Sequence, residues 1–400
     1  MKKIQLIVLL LLPIGLFAQI AIKAEIIYTV SSSPIRDGVI LIKDGKIKAV
    51  GTAAEIKIPE EYKIYPSKIV TPGLIDARSV IGMSGAMNVA ADQDQLEKSS
   101  PIQPELRAID AYNPNEQLVR AVREFGVTTM HTGHGIGALV SGQTMIVKTK
   151  KGTVETVVIN PFAMLAMTIG PEVSDNFSSP GTKAKQISMI RTELFKAQDY
   201  LKKMSDKDST KRPTFDLKMD ALSKMLKGEI KALITANKSV DIMNAIRLAK
   251  EFNLKLVIDG AAEAYLLINE IKASKAEVIL HATMARNDDD MINMNRESAM
   301  LLTKAGINVS IESGYESYVP KSRVILFEAA EAVAYGLSFD EGLKAVTINP
   351  AKLLGIDNRV GSIEKGKDAD LVLYNGDPFE YTTNVTSVII DGVVEYNTAP

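Results

Sequence analysis

The sequence predicts an α/β chain, with a parallel sheet or barrel through its middle and short β-strands at both ends. Three observations predict it. From Val70 to about Gly355, short apolar runs alternate with amphipathic helical stretches. Before and after that region lie strand-like segments carrying the hairpin signals Asp44-Gly45 and Asp391-Gly392. A chain of 400 residues that is 46% hydrophobic can bury one large domain and a smaller one.

The elements follow in order. Lys2 and Lys3 precede an apolar run from Ile4 to Phe17, and Ala18-Gln19 resembles a cleavage junction, so residues 1–18 read as a secretory signal peptide. The run is shorter than the ~20 apolar residues a spanning helix needs. The expectation is an exported protein, periplasmic in a Gram-negative bacterium. Ala24–Val30, Gly38–Ile42 and Lys46–Val50 read as strands, as do Ala369–Tyr374 and the stretch from Val385 to Val394. Neither end alone has enough strands to be stable.

In the middle, a helical stretch around Glu116–Phe125 leads into the strand Gly126–Met130. Ala232–Ile234, Lys255–Ile258, Glu277–Leu280 and Ile307–Ile311 are further strands. Ser239 is expected to cap a helix with Ile242, Ile246 and Ala249 on one face. Helices from Ala262, Asn293 and Ser322 fill the gaps. Gly142–Asn160 reads as a β-hairpin insertion turning at Lys151-Gly152. Ser178–Asp216 reads as an exposed helix flanked by loops.

Composition excludes several function classes. A net charge of -1, with no Trp and no basic stripe, leaves no footprint for nucleic acid. The absence of Cys removes disulfides, thiolate metal sites and a Cys nucleophile. Ser141-Gly142-Gln143 lacks the context of a nucleophile elbow. Gly133-His134-Gly135-Ile136-Gly137 lacks the order and the following Lys-Ser/Thr of a phosphate loop. Asp288-Asp289-Asp290 reads as a solvated run before a helix.

The most informative stretch is Ile69-Val70-Thr71-Pro72-Gly73-Leu74-Ile75-Asp76-Ala77-Arg78-Ser79-Val80. A buried strand ends at Val70, Pro72-Gly73 punctuates the chain, and a second apolar run begins. This resembles the signature of the amidohydrolase superfamily, in its imidazolonepropionase-like and prolidase-like branch. Ala345–Gly355 followed by Gly361–Val372 resembles the C-terminal passage of the same family, and Ala232–Ile242 and Leu256–Tyr265 match it internally.

The resemblance implies a TIM-like (β/α)8 barrel over residues 71–355, flanked by a small composite β-sandwich of residues 20–70 and 356–400. It also implies one or two divalent metals at the C-terminal ends of the barrel strands, acting on a bound water. The family's ligands map residue by residue. Its His pair falls on Arg78 and Val80, its middle-strand Lys loosely on Ala166, its later histidines on Thr235 and Gly260, and its Asp on Gly314. None of these residues is an ordinary metal ligand. No cofactor is therefore expected.

A substitute zinc site would have to come from the only histidines, His131, His134 and His281, with Asp76, Asp259 and Glu312 at strand ends. The same histidines could instead bond loop backbone. Arg78 could hold a ligand carboxylate in the space the metals vacated, or form a salt bridge with Asp76, Asp259 or Glu312. The implied function is a degenerate amidohydrolase that binds a small molecule or pairs with an active paralogue or a second copy of itself. The alternative is an active hydrolase of small cyclic amides or dipeptides using a rebuilt metal site.

Overall fold

The computed structural model describes residues 19–87, 89–281, 283, 284, 289–314 and 324–398. The signal segment, the start of the helix expected at Ser322, and Asp288 lie outside the described residues. The chain opens with four strands, β1 (Ile20–Ile27), β2 (Ile35–Lys43), β3 (Lys46–Thr52) and β4 (Lys63–Pro72). β1, β2 and β3 run antiparallel in sequence, and β4 lies parallel to β1. The β2–β3 turn sits on Asp44 and Gly45, at φ 54° and 75°. These are the left-handed conformations that a two-residue hairpin turn needs.

One residue separates β4 from β5 (Leu74–Ser79). That residue must be glycine: a Cβ on Gly73 would lie 2.1 Å from Thr128 Oγ1. The barrel wall then continues through β6 (Val127–Gly133), β7 (Gly142–Lys148), β8 (Val158–Asn160), β9 (Met164–Thr168), β10 (Lys231–Ala236), β11 (Leu256–Gly260), β12 (Glu277–Leu280) and β13 (Val309–Ile311). The hydrogen-bonded order is β13-β12-β11-β10-β9-β7-β6-β5, with β8 beside β7. This eight-strand wall is parallel except at β7, which runs antiparallel to both β6 and β9.

The hairpin expected over Gly142–Asn160 therefore exists as β7 and β8, but it is not an insertion. β7 is the third stave of the barrel. All its residues are buried, so it has no wet face to give an exposed ribbon.

The helices follow the apolar periodicity with three corrections. The helix Ser239–Phe252 buries Ile242, Ile246 and Ala249 as expected, but its N-cap is Lys238. The Ser239 N–H donates instead to Glu263 Oε2 at 2.7 Å, so a carboxylate from beyond β11 supplies the cap. The helix Lys183–Met204 is not simply exposed, since it buries Ile190, Leu194 and Ala197 against the barrel core. The helix expected from Asn293 is Ser298–Lys304.

The first and last staves are tied by one carboxylate. Asp76 is fully buried in β5, and its Oδ1 accepts from the N–H of Ser313, just beyond β13, at 3.1 Å. The Ser313 hydroxyl donates to the other oxygen. Burial pushes the Asp76 carboxyl up to about 6, and the Ser313 donors and the Arg78 N–H oppose that rise. Ser313→Ala is expected to lower stability by roughly 1–2 kcal/mol in urea unfolding, because a buried acceptor loses its donor. An unchanged midpoint would refute this account of closure.

The chain ends with β14 (Leu371–Tyr374), β15 (Val385–Ile390) and β16 (Val393–Asn397). They join the N-terminal strands in one seven-stranded sheet, ordered β16-β15-β14-β4-β1-β2-β3. The seam is β14 against β4, from Leu371 opposite Pro72 to Tyr374 opposite Ile69. One set of side chains, including Ile22, Ile40, Val70, Leu371 and Ile389, forms a separate core. Val372, Tyr374, Val388 and Ile390 belong to the barrel's core instead. The composite β-domain expected from the two ends is thus present.

Lys148, at the end of β7 and only 2% exposed, locks the two parts together. Its ammonium bonds to Asp370 and lies 3.3 Å from Asp368 and 3.2 Å from Asp391. Asp368 is also held by Lys46 and by Arg359 at 2.8 Å.

Candidate functional site at the barrel mouth

The C-terminal ends of β5, β10, β11 and β13 surround a cavity of about 80 Å³. Arg78, Val80, Thr235, Gly260 and Gly314 all line it. Five of the six positions to which the family's ligands map are therefore together in space, and none carries an ordinary ligating side chain. Ala166 sits within β9, opposite Leu233 of β10 and Gly142 of β7.

Arg78 is buried, and its guanidinium is spent on backbone. Nη1 donates to the Ser79 carbonyl at 2.9 Å, and Nη2 donates to the His134 carbonyl. Among the described residues no carboxylate lies within 4.0 Å of it, so the salt bridge to Asp76, Asp259 or Glu312 does not form. The local turn explains this, because the carbonyls that close the loops after β5 and β6 converge on the same side chain. The charge still acts at longer range, favouring ionised Asp76 and Glu312 and opposing protonation of His131 and His134.

Opposite Arg78 stands a chain of buried polar groups. The Thr235 hydroxyl donates to Asp259 Oδ2 at 2.5 Å. Burial, and then the charge of Asp259, hold the Glu312 carboxyl well above the usual carboxylate range. His281 Nδ1 lies 3.3 Å from Glu312 Oε1.

The three histidines do not converge. β6 runs on through Gly133, so His131 lies within the strand and not in the loop after it. It is fully buried, and its Nδ1–H donates to the Ala77 carbonyl at 2.8 Å. That fixes the tautomer, and Nε2 faces the Thr144 hydroxyl at 2.6 Å. Burial pushes its pKa down to about 3. The His134 ring packs against Gly142, where a Cβ would meet its Cδ2 at 2.4 Å. Its pKa falls to about 4, through burial and then Arg78. Of the three, His281 alone lines the cavity.

Two cavity residues escaped sequence reasoning. Glu172 follows β9 in the short helix Pro171–Asn176. Burial, and then the nearby Asp290, push its carboxyl up to about 7. Asn237 follows β10, and its Nδ2 donates to Asp290 Oδ2 at 3.0 Å. Asp290, expected on a solvated acidic run, is in fact buried. The signal for both was position, since each is the first polar group beyond a barrel strand.

The metal that the family resemblance implies meets no matching donor set. Among the described residues no three His, Asp or Glu side chains are grouped to hold an ion. Thr235, the one oxygen at the family's positions, already donates to Asp259.

The barrel, its composite β-domain and the cleft at the strand ends define the scaffold class of metal-dependent hydrolases. A family model described as the amidohydrolase family matches residues 220–394. An amidohydrolase from Thermotoga maritima MSB8 superimposes with a TM-score of 0.88 at 30% identity, over 94% of this chain and 100% of that one. The chain belongs to the amidohydrolase family.

Imidazolonepropionase from Fusobacterium nucleatum is 24% identical over 86% of each chain. Amidohydrolase tasK from Hapsidospora irregularis is 22% identical over 90% of this chain, which spans 40% of tasK's length. A putative prolidase from Bifidobacterium longum has a TM-score of 0.59 at 18% identity, over 96% of both chains, a likeness of fold.

Proposed function

We propose that this protein is a degenerate amidohydrolase that has lost metal-dependent hydrolysis and retains the cleft as a small-molecule binding site. One observation carries the reading: five positions where the family's ligands map line one cavity, and they hold Arg78, Val80, Thr235, Gly260 and Gly314. Making hydroxide near neutral pH needs a cation, and a cation needs several converging lone pairs. Arg78 supplies repulsion in their place. A divalent ion 4 Å from one positive charge costs about 8 kcal/mol at an effective dielectric of 20, before nearby carboxylates screen it. Pairing with an active paralogue is compatible with the same loss.

The alternative is an active hydrolase of small cyclic amides or dipeptides. It draws support from the imidazolonepropionase relatives and from His281 beside Glu312 in the cleft. Elemental analysis of dialysed protein separates the two. The expected result is zinc and manganese far below one per chain. Stoichiometric metal, with hydrolysis that a chelator abolishes, would overturn the degenerate reading. Loss of that metal in His281→Ala would then locate a rebuilt site.

We also propose export, with cleavage before Gln19. Intact-mass measurement on protein from the native cell should give a chain starting there, and a retained Met1 would refute it.

A further inference from the structure

We propose that the cleft takes a small organic cation, an alkylammonium or amidinium group held between the Glu172 carboxylate and the Asn237 side-chain oxygen. The inference rests on the reading of the cleft as a small-molecule site and names the chemistry of its occupant.

Glu172 lines the cavity and forms no ion pair with any described residue. A second carboxylate stands beside it: a point 2.6 Å from Glu172 Oε2, where a Cβ on Gly170 would lie, is 3.6 Å from Asp290 Oδ2. Asp259 and Glu312 line the same cavity and add further acidic side chains to it. The opposing charge, Arg78, has both terminal nitrogens committed to backbone carbonyls. Hydrogen bonds to neutral carbonyls leave that charge in place, but a singly charged group meets half the repulsion from it that a divalent metal ion would.

Asn237 is the independent observation. It is only 5% exposed and lines the cavity, yet its Oδ1 accepts no hydrogen bond from any described residue. The donor end of the amide is held by Asp290, which fixes the direction of the oxygen. That oxygen points toward Gly260, where a Cβ would come within 2.5 Å of it. Gly260 has a φ of 78°. Both facts exclude a side chain there, so no larger residue at the position that replaced a family ligand can stand against the unused acceptor.

The geometry favours an organic cation over a metal ion. Asn237 turns its nitrogen to Asp290, so its oxygen and that carboxylate do not face a common centre. An ammonium or amidinium group carries several N–H donors and can serve separated acceptors in turn. Val80, Ile136 and Met291 supply apolar wall for a short carbon body.

The test uses the full chain, carbon-13 labelled at methionine methyls, titrated with benzamidine, benzamide and benzoate at 150 mM salt. The Met291 methyl resonance, assigned through Met291→Leu, reports the cleft. Benzamidine is expected to shift it with an affinity at least tenfold above either neutral or anionic isostere. Glu172→Gln should weaken that affinity at least tenfold, and Asn237→Ser should also weaken it, each in protein whose other methionine resonances stay in place. Tighter binding of benzoate or benzamide would overturn the cation inference and leave the small-molecule reading standing. Failure of all three to move Met291 would also overturn it. The degenerate reading itself falls only to stoichiometric metal.

Discussion

Lys148→Met should cost about 3–5 kcal/mol of stability, the range for removing one partner of a buried ion pair. The substitution keeps much of the side-chain volume, so the loss isolates the charge. Lys148 is buried among Asp368, Asp370 and Asp391. Burial disfavours the ionised forms of Asp368 and Asp391, yet both carboxyls lie below the ordinary value because Lys148 and its neighbours outweigh that cost. A depressed carboxyl contributes stability that is present above its unfolded pKa and lost as pH falls through the folded one. The penalty of Lys148→Met should therefore be largest near neutral pH and shrink below about pH 4, where the aspartates can accept protons. Urea unfolding at about pH 7 and about pH 3 measures both. Lys148→Met combined with Asp370→Asn should recover part of the loss. A single variant within 1 kcal/mol of the parent would show that the cluster does not hold the two parts together.

His131→Gln should be most harmful at neutral pH and progressively less so in acid. Burial lowers the His131 pKa to about 3, against an unfolded value near 6.5. Between these values the unfolded chain binds a proton that the folded chain refuses. Stability therefore falls as pH drops through that window, by about 1.4 kcal/mol per unit and some 4–5 kcal/mol in all. Gln does not titrate, so the gap between parent and variant should close by about that slope from pH 6 to pH 4. The comparison must be a difference, because Asp76 has the opposite sign. Its pKa of about 6 makes stability fall as pH rises from the ordinary carboxylate value. A gap independent of pH would mean that His131 is not held neutral by burial.

The sequence made the scaffold readable because its signals are local. Pro72-Gly73 and the two Asp-Gly hairpin turns constrain the backbone by themselves, and each lies where expected. β7 was misread because an apolar run gives the same pattern in a ribbon and in a barrel wall, and only its burial on both faces decides. The cap on Ser239 was missed because its donor's partner, Glu263, is far along the chain. Arg78, Val80, Thr235, Gly260 and Gly314 line one cavity because each position counts from a strand end. The state of each side chain did not, since it depends on contacts between strands. Arg78 meets the His134 carbonyl, not a carboxylate, and Asn237 is turned by Asp290.

The reversed stave β7 has a consequence for truncation. A parallel strand is fed through a crossover helix that roofs the wall outside it. β7 is reached without one: residues 134–141 enter it, and the single turn Val154–Val157 and β8 leave it. Its neighbourhood is roofed instead by the returning strands, through Lys148 below and through Val372, Tyr374 and Val388 packed into the barrel's core. Trimming the chain after Gly355 would therefore strip shingles from the barrel rather than detach an appendage, and the remaining residues should be insoluble or quickly proteolysed when expressed alone.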